Sequence, residues 1–378
     1  MARTLFFIAN LDPLDGSAHA LYCVRNVISL AKNAPPACKV VLLHASKSTQ
    51  QQILGVHLEV EVPNLQIVGL PHIRRGIINP FHINLLFYFL LIYWLRKNAY
   101  PQDIICTASF PKMFRFIASR LASHDFKVVY EVHQLEMQSS GFTQRDHDNE
   151  IKAISLADSF FTTCRPLLKI IQKQFPDKHT TNLGLASSYK STTSHYAVGT
   201  PLKIGYFGSL APEQGVSWLV NEWLNIRSRC NSEIELHVFG LQNKTDAKLS
   251  SDSMNGLYIH MPLPNYAVPL ESEKLNALII PALNQSHRAS IAFTKAYDYA
   301  SLGLPVFCSD LPTIREVFEP DVHALYFPPG DAKALADCIS RLSTEPKLGE
   351  SISTNLQQRA LELSWDSRAR KWWEAVMQ

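Results

Sequence analysis

The feature that most constrains this chain is a rhythm that runs through it twice. Short apolar runs, rich in β-branched and aromatic residues, alternate with helical stretches. In the first half the runs are TLFFIAN (4–10), CKVVLLHA (38–45), LQIVGL (65–70), DIICTA (103–108), KVVYEVH (127–133) and SFFTTC (159–164), with helices expected over 17–33 and 111–123. In the second half they are LKIGYFG (202–208), EIELHVFG (233–240), LYIHMP (257–262), ALIIPA (277–282), PVFCSD (305–310) and ALYFPP (324–329). A strand with one wet face alternates apolar and polar residues. Continuous apolar strands separated by helices instead imply parallel sheets covered on both faces.

The length of 378 residues suits two such domains. Residues 186–200, ASSYKSTTSHYAVGT, interrupt the rhythm with Ser and Thr and read as a linker or hinge. The expected organisation is a domain over 1–185, the hinge at 186–200, a second domain over 201–360, and a helix in 361–378 packing back toward the first domain. Pro329-Gly330-Asp331 supplies a turn and then an Asp cap for the helix AKALADCISRL. The fold class is α/β, with two doubly wound Rossmann-like domains facing each other across a cleft. In such sheets ligands bind outside the carboxyl ends of the strands, at helix N-termini.

Charge narrows the partners. Thirty-six Lys and Arg against 33 Asp and Glu leave a net charge of +3, too small an excess for a dedicated nucleic-acid binder. Seven cysteines are scattered without a close pair, which reads as a reduced, cytosolic set of mostly buried thiols. No cluster has zinc spacing. The opening residues lack the apolar run of an export signal. The longest apolar stretch, Leu85 to Leu95, covers roughly 16 Å as a helix and falls short of a ~30 Å hydrocarbon core. It reads first as a core helix. A second reading is a peripheral membrane contact through 74–97, aided by Arg74, Arg75, Arg96 and Lys97. The expected location is the cytoplasm, at the inner face of the membrane if that contact is made.

Four places at strand ends could carry chemistry. Asp15-Gly16-Ser17 follows the first strand, where a glycine lets backbone N–H groups approach an anion. His133 ends KVVYEVH, on the same side of its strand as Glu131, and could donate a hydrogen bond or move a proton. In KIGYFGSLAPEQG, Gly208 would admit a phosphate close to the backbone. In ASIAFTKAYDYASLGLPVFCSDLPTIREVF (289–318), a helix over about 292–302 ends at Gly303 and is followed by Pro305. Near its start lie Arg288, Ser290, Thr294 and Lys295, donors that suit a diphosphate. Asp298, one turn after Lys295, could accept both hydroxyls of a ribose. For each place an ordinary structural role stands beside the functional one: a capped turn, a core histidine, a surface Lys–Asp pair.

Taken together, these segments resemble the family 4 glycosyltransferases of the GT-B fold, over nearly the whole chain. The most specific part is Phe293 to Val317, similar to that family's lysine, two residues, carboxylate, aromatic segment, then Gly-x-Pro-Val and a downstream Arg-Glu. The resemblance implies transfer of a sugar from a nucleotide-diphospho donor to a glycan, lipid-linked or small-molecule acceptor, with retention at the anomeric carbon, as in polysaccharide biosynthesis. No metal and no other cofactor is expected. It further implies that Asp298 holds the ribose and that Lys295 steadies the phosphates or that carboxylate. Gly208, Ser209, Arg288, Ser290 and Thr294 would line the donor site, His133 would contact the sugar near the reacting carbon, and Gly16 would bring backbone N–H groups to donor or acceptor.

The chain departs from the family pattern at several of these positions. The first of the family's two glutamates falls on Ser290 and the second on Asp298, the usual Arg and Lys of the donor loop fall on Ser209 and Gln214, and the first glycine of a Gly-Gly pair falls on Asp15. These departures keep two alternatives open. One is a degenerate, non-catalytic relative that binds a partner or a glycan. The other is a non-hydrolysing nucleotide-sugar epimerase. Asp146-His147-Asp148 offers the Asp-x-Asp of metal-dependent transferases, but it is expected in a polar loop before a helix, where acids simply suit the helix dipole.

Overall fold

The structure is a computed structural model. It describes residues 3–71, 85–109, 111–121, 125–135, 143–187, 189, 196–197, 199–240, 255–283 and 289–377. Arg74, Arg75 and Arg288 lie outside these residues. The chain divides into two compact units, one made of Met1–Gly184 with Trp365–Gln378, the other of Leu185–Ser364. The dividing points are therefore 184/185 and 364/365, beside the expected 185/186 and 360/361.

In the N-terminal unit the strands are β1 (Thr4–Ala9), β2 (Lys39–His44), β3 (Leu65–Gly69), β4 (Ile104–Ala108), β5 (Lys127–Val132), β6 (Ser159–Thr162) and β7 (His179–Asn182). The helices are α1 (Ala18–Lys32), α2 (Gln50–Val56), α3 (Leu85–Asn98), α4 (Pro111–Leu121), α5 (Gln144–Ile154) and α6 (Arg165–Gln174). The strands form one sheet in the order β3-β2-β1-β4-β5-β6-β7, every neighbour parallel. The C-terminal unit holds β8 (Leu202–Phe207), β9 (Ile234–Phe239), β10 (Leu257–His260), β11 (Ala277–Ile280), β12 (Val306–Ser309) and β13 (Ala324–Phe327). Its helices are α7 (Val216–Arg229), α8 (Val268–Ser272), α9 (Thr294–Leu302), α10 (Pro312–Arg315), α11 (Ala332–Thr344) and α12 (Pro346–Glu362). Its sheet is parallel, in the order β10-β9-β8-β11-β12-β13. The last helix, α13 (Trp365–Met377), belongs to the N-terminal unit and packs on α1.

Burial explains the unbroken apolar runs. β2, β4, β6 and β11 are buried along nearly their whole length, because helices cover both faces of each sheet. The inner side of α3 serves the core, as expected of the longest apolar stretch: Phe87, Tyr88, Leu91, Ile92 and Leu95 are buried in a cluster with Phe6, Ile8 and Val41. No helix among the described residues is long and apolar enough to cross a membrane.

Each sheet reverses direction once. From β1 the chain moves outward through β2 and β3, then returns to lay β4 on the other side of β1. From β8 it moves through β9 and β10, then returns to lay β11 beside β8. At such a switch point the loops after the two central strands diverge and leave a crevice at their carboxyl ends. The expected ligand positions are thus after Ala9 and Ala108 in one unit, and after Phe207 and Ile280 in the other.

Two sequence expectations need correction. The 186–200 segment is not simply a hinge: among its described residues, Tyr196 is buried in the core of the C-terminal unit, against Gly349, and Ser187 N–H donates to Leu363. An aromatic ring in a Ser/Thr-rich stretch found a core to enter. Asp146-His147-Asp148 lies inside the first turns of α5, not before it, and Asp148 accepts a hydrogen bond from Gln144, one turn earlier. Asp331 caps α11 as expected, its carboxylate accepting from the N–H of Ala334.

Candidate functional site

The crevice of the C-terminal unit is built from the loop after β8, the loop after β11 and the start of α9. Gly208 follows β8 with φ +137°, and its N–H donates to the Phe239 carbonyl. Lys295, in the first turn of α9, passes directly over it: a Cβ at residue 208 would stand 2.5 Å from Lys295 Cε and 2.7 Å from Nζ. The loop then turns through Pro212–Gln214 to Gly215, at φ +73°. A Cβ at 215 would meet the Pro281 carbonyl oxygen at 1.7 Å. Only glycine allows this contact, which seals the two loops together.

Lys295 Nζ donates to Gln214 Oε1 at 2.8 Å and lies 5.2 Å from the centre of the Tyr206 ring. The Tyr206 hydroxyl donates to the Ser209 carbonyl at 2.6 Å, and burial pushes its pKa far up, so it stays a neutral donor. Ser209 thus enters the site through its backbone, with its side chain exposed. Tyr299 is wholly buried on the inner side of α9, and its hydroxyl accepts from the N–H of Phe207 at 2.9 Å.

These contacts leave a cavity of about 110 Å³ lined by Gln214, Ile291, Ala292, Phe293, Thr294 and Lys295. It is smaller than the ~300 Å³ of a pocket that encloses a whole ligand. It suits an anionic group of phosphate size. The N-terminal end of α9 turns the positive end of its dipole toward such a group, and Lys295 adds a full charge. α9 begins at Thr294, two residues later than the sequence suggested, with Phe293 as a cap that makes no side-chain bond. Ser290 therefore precedes the helix by four residues and is buried. Asp298 lies one turn beyond Lys295, half buried.

The corresponding crevice of the N-terminal unit gathers the other predicted residues. Gly16 makes the turn before α1, at φ +73°, with open space beside its Cα. The Asp15 carboxylate accepts from the N–H of Ser17 at 2.8 Å, and Ser17 Oγ caps α1 by accepting from the N–H of Ala20. Asp15 is thus part of the turn's own construction. His133, just past β5, packs edge-on against Tyr22 at 4.3 Å and His19 at 5.5 Å. Burial, reinforced by His133, lowers the His19 pKa to about 4, so its ring is neutral near pH 7.

Beneath His133 lies a group of residues the sequence did not bring together. Glu131, fully buried, accepts hydrogen bonds from the Tyr22 hydroxyl and from Trp372 Nε1 at 2.8 Å. Arg368 stands 3.4 Å from the same carboxylate and donates to Tyr22 at 2.6 Å, to Asn26 at 2.8 Å and to the Gly184 carbonyl at 3.1 Å. His133 Nε2 is 3.9 Å from Glu131 Oε2, beyond hydrogen-bond length. The one available signal was the shared strand face of Glu131 and His133. Arg368 and Trp372, one turn apart on α13, carry no mark of their partner.

Comparison with known proteins now adds to this geometry. Residues 201–345 match the family described as glycosyl transferases group 1. The C-terminal unit carries a group 1 glycosyl transferase domain. The match takes in the Gly208 loop, the cavity and α9. By this domain the chain is a glycosyltransferase. No curated protein matches the sequence.

Among solved structures, the chain is similar to sucrose-phosphate synthase from Thermosynechococcus elongatus, with a TM-score of 0.74, 15% identity, and coverage of 100% of this chain and 98% of that one. HepE from Anabaena, solved in complex with UDP, gives 0.69 at 14% identity, covering 99% of each chain. The lipopolysaccharide outer core galactosyltransferase WaaB gives 0.70 at 13% identity, again covering 99% of each. At these identities the likeness is one of fold, and the fold is GT-B, with two Rossmann-like domains.

Proposed function

We propose that the protein is a retaining, metal-independent glycosyltransferase that moves a sugar from a nucleotide-diphospho donor to a glycan, lipid-linked or small-molecule acceptor. The observation that carries this reading is the cavity at the head of α9, lined by Lys295 and Thr294, with Lys295 passing over Gly208, inside the segment that matches the group 1 family. HepE, of the same fold, was solved with UDP and with UDP-glucose. In this reading Lys295 steadies the donor's diphosphate and Asp298 holds the ribose. Gly208 and the backbone of Ser209 let the phosphates approach, and Arg288 and Ser290 are the further residues assigned to the donor. The leaving diphosphate gathers negative charge as the glycosidic bond breaks. A preorganised cation and helix terminus stabilise that charge more than they stabilise the bound donor. In the N-terminal unit, His133 is assigned to the transferred sugar and Gly16 to donor or acceptor hydroxyls.

The test is a thermal-shift screen against a panel of nucleotide-sugars, since a ligand that binds only the native state raises its stability by mass action. A hit followed by transfer to an acceptor, in excess chelator and with the anomeric configuration kept, is the expected result. The shift should shrink in Asp298→Ala. No hit across the panel, or transfer that stops in chelator, overturns the corresponding part of the proposal.

The Gln214–Lys295 hydrogen bond favours a second reading. A neutral amide stands where the family places a cation, and it occupies the lysine. A non-catalytic protein of this fold would show no heat with UDP or GDP in calorimetry.

A further inference from the structure

We propose that the outer face of α3 and α4 is a docking surface for an anionic phospholipid bilayer. α3 buries Phe87, Leu91 and Leu95 completely, yet it is not apolar on its inner side alone. Leu86 is 40% exposed, Phe89 59% and Tyr93 65%. Their spacing of three and four residues puts them on one face of the helix. A helix that only served the core would carry polar residues there. Phe89 meets the half-buried Phe116 of α4 edge-on at 5.5 Å, so the apolar strip continues onto the second helix.

The charge carried by these two helices has one sign. α3 and α4 together contain Arg96, Lys97, Lys112, Arg115 and Arg120, and neither helix contains an Asp or a Glu. The chain as a whole is almost balanced, 36 cations to 33 anions, so 25 helical residues with five cations and no anion stand apart. Arg96, Lys97, Arg115 and Arg120 are exposed. Two of them lie over the aromatic rings: the Arg120 guanidinium is 3.7 Å from the centre of Phe116, and Lys97 Nζ is 5.9 Å from that of Tyr93.

Charge complementarity selects the occupant. Rings that enter an apolar layer, with Lys and Arg stems lying along them and the charged heads at its rim, match the boundary between acyl chains and acidic headgroups. α3 has 14 residues and is about 21 Å long, so it lies on the bilayer rather than through it. The proposal concerns the N-terminal unit and does not depend on the glycosyl-transfer reading.

The test is co-sedimentation of the full chain with vesicles of phosphatidylcholine alone and of phosphatidylcholine mixed with phosphatidylglycerol. Binding to the mixed vesicles, falling at high salt, and at most about a tenth of it on phosphatidylcholine is expected. Two separate variants, F89S with Y93S and R96E with K97E, should each lose most of it. All four side chains are exposed, and unchanged melting temperatures confirm that the fold is kept. No binding to either vesicle overturns the proposal. So does binding that both variants retain, and so does capture of an acidic protein by this face without capture of vesicles.

Discussion

Glu131 and Arg368, 237 residues apart in the chain, meet inside the N-terminal unit with their charged groups 3.4 Å apart and almost wholly out of water. The pair closes because Tyr22, Asn26, Trp372 and the Gly184 carbonyl satisfy its remaining hydrogen-bonding capacity. A buried ion pair adds little net stability, but breaking one side of it is costly. Glu131→Leu should therefore destabilise the unit by about 3–5 kcal/mol. The double variant Glu131→Leu, Arg368→Met should recover a large part of that loss. Denaturant unfolding of wild type, both single variants and the double variant measures the cycle. A loss in the double variant equal to the sum of the two single losses would show that the charges are not coupled.

Acid should weaken the same unit in two stages. Burial pushes the Glu131 pKa up, but Arg368 overrides it and the carboxyl settles at about 2, below its ordinary 4.5. Its contribution is complete above 4.5 and is lost as pH falls from there toward 2. His19 and His57 act earlier. Burial lowers both from 6.5 to about 4, so between those values the unfolded chain binds more protons than the folded one. Stability thus begins to fall below pH 6.5. Unfolding curves at pH 7, 5.5 and 4 should show the decline, and His19→Asn should flatten its first stage.

Lys295 and Gln214 make opposite predictions for donor binding. Removing the amine in Lys295→Ala should cost about 1.5–3 kcal/mol of affinity for a nucleoside diphosphate, the worth of a charge-assisted hydrogen bond. Gln214→Lys should raise affinity, because it removes the lysine's internal acceptor and adds a second cation beside the cavity. Calorimetry with the nucleotide that stabilises the wild type measures both. A Gln214→Lys variant that binds more weakly would place the diphosphate elsewhere.

Gly208 and Gly215 should separate stability from binding. In Gly215→Ala the new methyl meets the rigid Pro281 carbonyl at a positive φ, so a loss of about 1–3 kcal/mol or more in folding stability is expected. Gly208→Ala is strained as well, at φ +137°, but its nearest atoms are the flexible end of Lys295, which can swing aside. That variant should lose donor affinity in larger proportion than stability. Melting temperature and calorimetry, measured on both, make the comparison.

Much of this architecture follows from local chemistry. The apolar runs marked twelve of the thirteen strands among the described residues, because a buried parallel strand needs mostly apolar side chains. Gly303 and Asp331 act on neighbours within a few residues, so α9 ends and α11 begins where expected. The strand β7, HTTN, was missed because it is polar and half exposed at the edge of its sheet, and pairing with β6 alone makes it a strand. The α9 segment also pointed to Lys295 and Asp298, since a lysine and a carboxylate one turn apart are set by sequence spacing.

What the sequence alone could not supply is who meets whom. That Lys295 is held by Gln214, 81 residues away, depends on the return of the chain that lays β11 against β8 and on a Gly215 turn pressed onto Pro281. That Glu131 is answered by Arg368 depends on α13 packing against α1. Both pairs carry charge that could have been satisfied by water. Tertiary packing, not local spacing, brought these groups within reach of one another.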